Sequence, residues 1–261
     1  MRAIDLDRHM RSVGTWVNWD TTVDTFKSGD PNGEVTGIAV AWRSLQSALD
    51  EAAAHGCNLF ITHEPTFYAH RDDDAGAFRH EHARAKRDFL ERTGMVVYRC
   101  HDVWDVMPES GVLDTWRKGL DLGGAVVAAE KYYAVVERPA VTVRALASHV
   151  LDRVRCVGQD AVQIVGDYRR RISRIGVGTG AITDVVKLAD LGAEAAIVTD
   201  DGLRLWQGGS WAIDAGVPLI VVNHATAEEW AMRSLASYVA EQFPEVPVRH
   251  IPQGCLYRTI T

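Results

Sequence analysis

Three short motifs pair a histidine with a carboxylate: Thr62-His63-Glu64-Pro65, His101-Asp102-Val103-Trp104-Asp105 and His224-Ala225-Thr226-Ala227-Glu228. Imidazole and carboxylate without thiolate suit Zn, Fe, Mn or Co rather than Cu(I) or an iron–sulfur cluster. The set exceeds what one four-coordinate ion takes. It is enough for two divalent ions about 3.5–4 Å apart. Thr226-Ala227-Glu228-Glu229 reads as a capping box with Thr226 as N-cap. That puts Glu228 in a helix first turn, where the macrodipole favours its ionised form. His80 and His82 lie in the charged stretch RHEHARAKR, where positions i and i+2 do not share a helix face, so they read as solvated. His70, on the loop after the first motif, is within reach of the same pocket. Trp104 and Trp230 sit close to the candidate acids; either both are core residues or one walls a substrate pocket.

Each motif needs an element that delivers it, and the apolar patterning supplies one. GIAVAW (37–42) is a strand, with Ser44 as N-cap of a helix whose apolar positions are Leu45, Ala48, Leu49, Ala52 and Ala53 and which stops at Gly56. NLFIT (58–62) is the next strand and ends at His63. This βαβ unit predicts parallel strands and a right-handed crossover. A helix over 75–92 and the strand MVVYRC (95–100) follow, ending at His101. Residues 109–121 read as a helix and 132–137 as a strand. Thr142 caps a helix to 154, and 161–166 is a strand. The first pattern then returns: strand 174–178, helix 181–191, strand 195–199 and strand 217–223, the last ending at His224. TGIAVAW…ALDEAAAHGCNLFITHE resembles SRIGVGTG…VVKLADLGAEAAIVTDD, which implies an internal duplication. Two α/β lobes follow from it, 1–125 and 126–261, with 36–105 carrying two of the motifs and 217–230 closing the metal site. In open α/β sheets ligands gather at the carboxyl ends of strands, and all three motifs lie at such ends.

Composition narrows the class. The chain has 261 residues, 47% apolar and 24% charged, which excludes disorder, collagen and coiled coil as descriptions of the whole. A net charge of −7 excludes a general nucleic-acid binder, because phosphate neutralisation needs surplus Lys and Arg on one face. Arg169, Arg170 and Arg171 form the one compact basic run. No apolar stretch approaches the ~20 residues of a membrane helix. The N-terminal MRAIDLDRHMRSVG lacks the apolar core of a signal peptide. Cys57, Cys100, Cys156 and Cys255 form no CxxC and read as small core residues. Together these features predict a cytoplasmic protein.

A competing motif is Gly176-Val-Gly178-Thr-Gly180-Ala181, which fits GxGxxA between a strand and a helix, with Asp201 at the end of the next strand. It allows a dinucleotide-dependent oxidoreductase. That reading leaves the three histidine–carboxylate strand ends without a role, and the glycines also serve where a turn must approach a ligand or a neighbouring strand.

The motifs resemble those of the NIF3-like family, also called dinuclear-metal hexameric proteins or GTP cyclohydrolase 1 type 2-like proteins. The family pattern is T-H-H-P at a strand end, then H-T-N-L-D, then H-x-x-x-E near the C-terminus. Here these stand as Thr62-His63-Glu64-Pro65, His101 to Asp105 and His224 to Glu228. The resemblance runs from about residue 35 onward and implies two similar α/β lobes with mixed β-sheets flanked by helices. It also implies two divalent metal ions per chain and a homo-oligomer, a hexamer built as a trimer of dimers. Two departures matter: Glu64 replaces the second histidine, and Asp-Val-Trp replaces T-N-L. A carboxylate for an imidazole makes one site harder and more anionic, favouring Mn, Fe or Mg over Zn there.

The expected ligands are His63, Glu64, Asp105, His224 and Glu228, with His101 as a further ligand or a catalytic general acid/base. The leading expectation is a metal-dependent hydrolase acting on a small molecule through a metal-bridging hydroxide: GTP cyclohydrolase-like, or an amide or phosphoester hydrolase. The alternative is a non-catalytic metal-binding adaptor or metal chaperone with the same ligands.

Overall fold

Short uninterrupted apolar runs such as IAVA and LFIT suit strands covered on both faces. The computed structural model, which describes residues 1–260, places them so. In chain order the elements are α1 (Ala3–Val13), β1 (Phe26–Ser28), β2 (Ile38–Ala41), α2 (Gln46–Ala54), β3 (Leu59–Thr62), α3 (Glu81–Thr93), β4 (Val96–Arg99) and α4 (Asp102–Asp105). Then come α5 (Val112–Leu120), β5 (Ala125–Glu130), β6 (Tyr133–Thr142), α6 (Val143–Val154), β7 (Gln163–Val165), β8 (Arg171–Gly178), α7 (Val185–Asp190) and β9 (Ala195–Thr199). The chain continues through α8 (Asp200–Leu203), α9 (Ser210–Ala215), β10 (Leu219–Val222), α10 (His224–Gln242) and β11 (Val248–His250). Two units result: Met1–Met107 with Met232–Pro252, and Pro108–Ala231 with the residues from Gln253 onward.

The first unit holds a five-stranded sheet in the order β1-β4-β3-β2-β11. β2, β3, β4 and β11 run parallel and β1 antiparallel. The βαβ expectation holds here, with Ile38 opposite Leu59 and Leu59 opposite Val96. Leu49, Phe60, Leu90 and Val97 form the centre of its core. Gly56, at φ +72°, follows α2 in the left-handed conformation that ends a helix. Leu45, not Ser44, is the N-cap of α2. Ser44 is buried instead, its hydroxyl 3.0 Å from that of Thr66. The expected helix over 75–92 is interrupted. A 3-10 turn spans Ala75–Arg79, His80 is extended, and α3 starts at Glu81. His80 and His82 are exposed as expected. Their rings stack at 5.6 Å because His80 lies outside the helix.

The second unit holds a six-stranded sheet, β5-β6-β8-β9-β10-β7. β8, β9 and β10 are parallel; the other pairings are antiparallel. Alternation along the strands sends Ile175, Val177, Ile197, Ile220 and Val222 to one core and Val135, Ala196, Val198, Leu219 and Val221 to the other. The Thr142 side chain accepts from the Ala145 amide at 3.2 Å and caps α6 as expected. α7 begins later than the sequence suggests, because Asp184 caps it by accepting from Val186 and Lys187. α10 begins earlier: the Asn223 carbonyl already accepts from the Ala227 amide. Thr226 is therefore inside the helix and not its cap.

Both sheets are mixed and flanked by helices. Each contains three consecutive parallel strands whose last member runs into a histidine. The cysteines form no disulfide; Cys57 and Cys100 are buried, whereas Cys156 is exposed and Cys255 half-buried, so only two fit the core reading. Two residues of the basic run are bound to backbone: Arg171 donates to the Ala140 carbonyl at 2.8 Å and Arg170 to that of Gly216; Arg169 donates to the Tyr168 hydroxyl. Among the described residues no helix is long and apolar enough to cross a membrane.

Candidate metal centre

In the first unit, β3 ends at Thr62, just before His63, and β4 is followed by Cys100 and His101. The turn α4 then brings Asp105 back beneath His101, because residues four apart share a helix face. Asp24 makes that turn possible. Its carboxylate accepts from the amides of His101, Asp102 and Val103 at 2.8–2.9 Å, the amides a helix start leaves without partners. Asp24 is fully buried, and burial raises its pKa against the lowering effect of those amides.

His63 Nδ1 faces the Cys100 carbonyl at 3.0 Å, so that nitrogen donates and Nε2 keeps its lone pair. Nε2 lies 3.4 Å from Asp105 Oδ1. The His63 and His101 rings stack at 4.6 Å. His101 Nδ1 is 2.9 Å from Asp102 Oδ1 and 3.4 Å from Asp105 Oδ2. Burial would lower the His101 pKa, but the charge of Asp105 and the bond to Asp102 outweigh it and take it up to about 9. Asp102 is held well below the ordinary carboxylate range: burial is outweighed by hydrogen bonds from His101 and from Thr22, the latter at 2.7 Å. His63, Glu64 and His101 bring their donor atoms within 4.8 Å of one another, as do His101, Asp102 and Asp105. His70 is exposed, with its ring 6.4 Å from that of His101.

In the second unit the same device recurs. His224 opens α10 and Glu228 follows one turn later on the same face, its Oε1 2.9 Å from His224 Nε2. Asp200, at the end of β9, accepts from the His224 amide at 3.0 Å, as Asp24 does for His101. Asp201 takes His224 Nδ1 at 2.7 Å. Burial alone would depress His224; the charge of Glu228 and the Asp201 bond reverse this and hold it well above its ordinary value. Gly180, at φ +76°, lies directly opposite: a Cβ there would come 3.4 Å from Glu228 Oε1 and 3.5 Å from His224 Nε2. A glycine keeps the space beside both donor atoms open.

The donor chemistry fits divalent cations. Each of the three imidazoles has Nδ1 set against an oxygen acceptor, which is how ring orientation is fixed at metal sites. Oxygen and nitrogen donors without sulfur match Zn, Fe, Mn or Co.

The sequence matches the family model described as Duf34/NIF3 (NGG1p interacting factor 3) over residues 11–253. The chain belongs to the Duf34/NIF3 family. Solved structures share the fold across whole chains. SA1388 from Staphylococcus aureus is 17% identical with a TM-score of 0.78, covering 100% of this chain and 99% of that one. A Bacillus cereus protein related to NIF3 is 12% identical with a TM-score of 0.77, covering 100% and 98%. Reduced HcgD from Methanocaldococcus jannaschii is 13% identical with a TM-score of 0.70, covering 97% and 98%. No curated protein matches the sequence.

Within this NIF3 fold, His63, Glu64, His101 and Asp105 gather in the first unit, and His224 with Glu228 in the second. Sequence reading missed Asp24 and Asp200, which hold the two helix starts, and Asp102, which neighbours His101 and takes its ring nitrogen. It saw Asp201 only as a ribose acid. Trp104 is fully buried against Tyr238 at 5.2 Å. Trp230 packs on Trp116 at 5.6 Å and over Gly119, where a Cβ would approach its ring to 2.4 Å. Both tryptophans are packing residues.

Proposed function

We propose that this NIF3 protein is a metal-dependent hydrolase of a small molecule. It would hold two divalent ions per chain with His63, Glu64, Asp105, His224 and Glu228, and His101 would act as a further ligand or as the general acid/base. The observation that supports this reading most is the repeated device. In each unit a parallel strand ends in a histidine, a helical turn returns a carboxylate to it, and a carboxylate from a distant segment fixes the turn. A structural role alone does not call for two strand ends built this way.

Bound divalent ions would supply positive charge that polarises a carbonyl, ring carbon or phosphoryl oxygen and makes water more acidic. The chain supplies the rest. The His63 ring is held by the Cys100 carbonyl and directs Nε2 inward. Asp102 and Asp105 face His101 Nδ1 and favour the protonated ring, so its other nitrogen, Nε2, would be the one that gives a proton to a leaving group. Gly180 leaves room beside His224 and Glu228. Asp201 is engaged with His224, and Gly176 packs so closely that a Cβ would meet that of Ala193 at 2.9 Å. The glycine pattern thus has local packing partners without a dinucleotide.

Turnover separates this reading from a metal-binding adaptor. Protein loaded with Mn, Fe, Co or Zn is expected to hydrolyse a member of a nucleotide, phosphoester or amide panel. His101→Ala is expected to lower the rate by about 10²-fold or more; metal retained in that variant would make His101 the general acid/base, and metal lost would make it a ligand. Metal uptake without turnover on any panel supports the adaptor.

A further inference from the structure

Arg99 lies on β4, two residues before His101, and has no exposed surface. Its guanidinium serves one segment at three points. Nε donates to the His63 carbonyl at 2.8 Å. Nη1 donates to the His70 carbonyl. Nη2 lies 3.7 Å from Glu64 Oε2. The loop that carries two candidate ligands is therefore tied to a buried cation.

A guanidinium keeps its charge in a protein interior, so that charge must be balanced where it sits. Carbonyl oxygens offer dipoles. A full negative charge comes from carboxylates, and among those acting on Arg99 Glu64 leads, ahead of Asp72, Asp24 and Asp102. Glu64 stands where the T-H-H-P pattern has a histidine. A neutral imidazole there would leave the arginine without its foremost counter-charge, close to a cation site.

We propose that Arg99 is a positioning residue that makes Glu64 the required side chain at its position, the two acting as one electrostatic unit that presents a partly neutralised carboxylate to a divalent ion. The inference rests on the metal-site reading above. It carries a consequence that ligand chemistry alone does not give. Glu64→His restores the nitrogen donor of the family pattern, yet it should bind Zn less well, because the buried positive charge remains.

The test is a double-mutant cycle on the full chain with Glu64→His, Arg99→Gln and the pair, since glutamine can still donate to the His63 carbonyl without charge. Two readouts are taken: melting temperature of the metal-free protein, and competition binding of Zn and Mn. Glu64→His is expected to melt below wild type and to bind Zn about tenfold more weakly. Adding Arg99→Gln should recover at least half of both losses, whereas adding Arg99→Lys, which keeps the charge, should not. Losses that simply add in the double variant, or Zn affinity that rises in Glu64→His alone, would overturn the proposal. Should Arg99→Gln not fold, Glu64→Gln and Glu64→Asp decide. The first must lower the metal-free melting temperature as Glu64→His does, and the second must largely preserve it; the reverse order overturns the pairing. Coupled melting with no metal uptake by any protein would sink the metal-site reading and leave the ion pair standing. Metal uptake with uncoupled melting would sink this inference alone.

Discussion

His101 and His224 are each paired with two carboxylates, and that arrangement favours a proton on the ring, which a bound metal ion would have to displace. Both carboxylates face Nδ1 of His101, whereas His224 has one at each nitrogen; each ring is thereby favoured as imidazolium, and an imidazolium has no lone pair to give a metal. The His101 pKa of about 9 therefore sets the sign of the pH response. Below that value protons compete with metal, so affinity should fall as pH falls from about 9, well above the ~6.5 where an ordinary imidazole begins to compete. Competition binding between pH 6 and 9 should show affinity rising with pH and protons released on loading; a flat profile would count against the arrangement. His224→Ala with Glu228→Ala should empty one site and leave the other loaded, with little change in circular dichroism, since the pair lies at a strand's end and not in a hydrophobic cluster. Full metal occupancy in that variant would remove this pair from the ligand set. These residues were legible in the sequence because a spacing of four is one helical turn. Their supports were not. Asp24 is 77 positions from His101 in the chain, and no local pattern marks a carboxylate that caps a turn so far away.

The elements show the same division between local and distant causes. Strand identity was legible because β2, β3, β9 and β10 are short apolar runs bounded by glycine or polar residues, and β4 is one up to Tyr98. Helix starts were less so. Thr226 and Glu229 have the spacing of a capping box, but the Asn223 carbonyl begins the ladder three residues earlier, and Asp200 satisfies the His224 amide. Glu229 accepts from the amides of Gln253 and Gly254. The break before α3 follows from His80 adopting an extended backbone, which side-chain periodicity does not report. At this scale Asp24 is the decisive support, because α4 has one turn and cannot hold itself together. Asp24→Ala leaves three buried or half-buried amides without their acceptor and should cost about 2 kcal/mol in urea unfolding of the metal-free protein. Asp24→Asn keeps one acceptor oxygen and should cost less. Because α4 carries Asp105 to His101 and His63, the alanine variant should also lose metal affinity. A variant as stable as wild type would show that α4 forms without this cap.

For the whole molecule the question is whether metal maintains the fold or only the chemistry. Each unit has an apolar core of its own, centred on Phe60 and Leu90 in the first and on Ile197 and Ile220 in the second. The candidate ligands lie at strand ends, outside these clusters. Small metallo-domains that unfold without metal have no such cores. We expect a loaded chain to carry about two divalent ions, the number that six histidine and carboxylate groups can hold. Chelation should abolish turnover while circular dichroism stays native. Melting should then fall only by the linkage that metal binding contributes. Assembly should survive as well: the family resemblance implies a hexamer, so light scattering of both loaded and chelated protein should give a mass near six times that of the chain. Trace metal after loading would end the two-ion reading. A scattering mass equal to one chain would end the hexamer. Unfolding on chelation would mean that the ions, and not the apolar clusters, hold the strand ends together, so that fold and site are one.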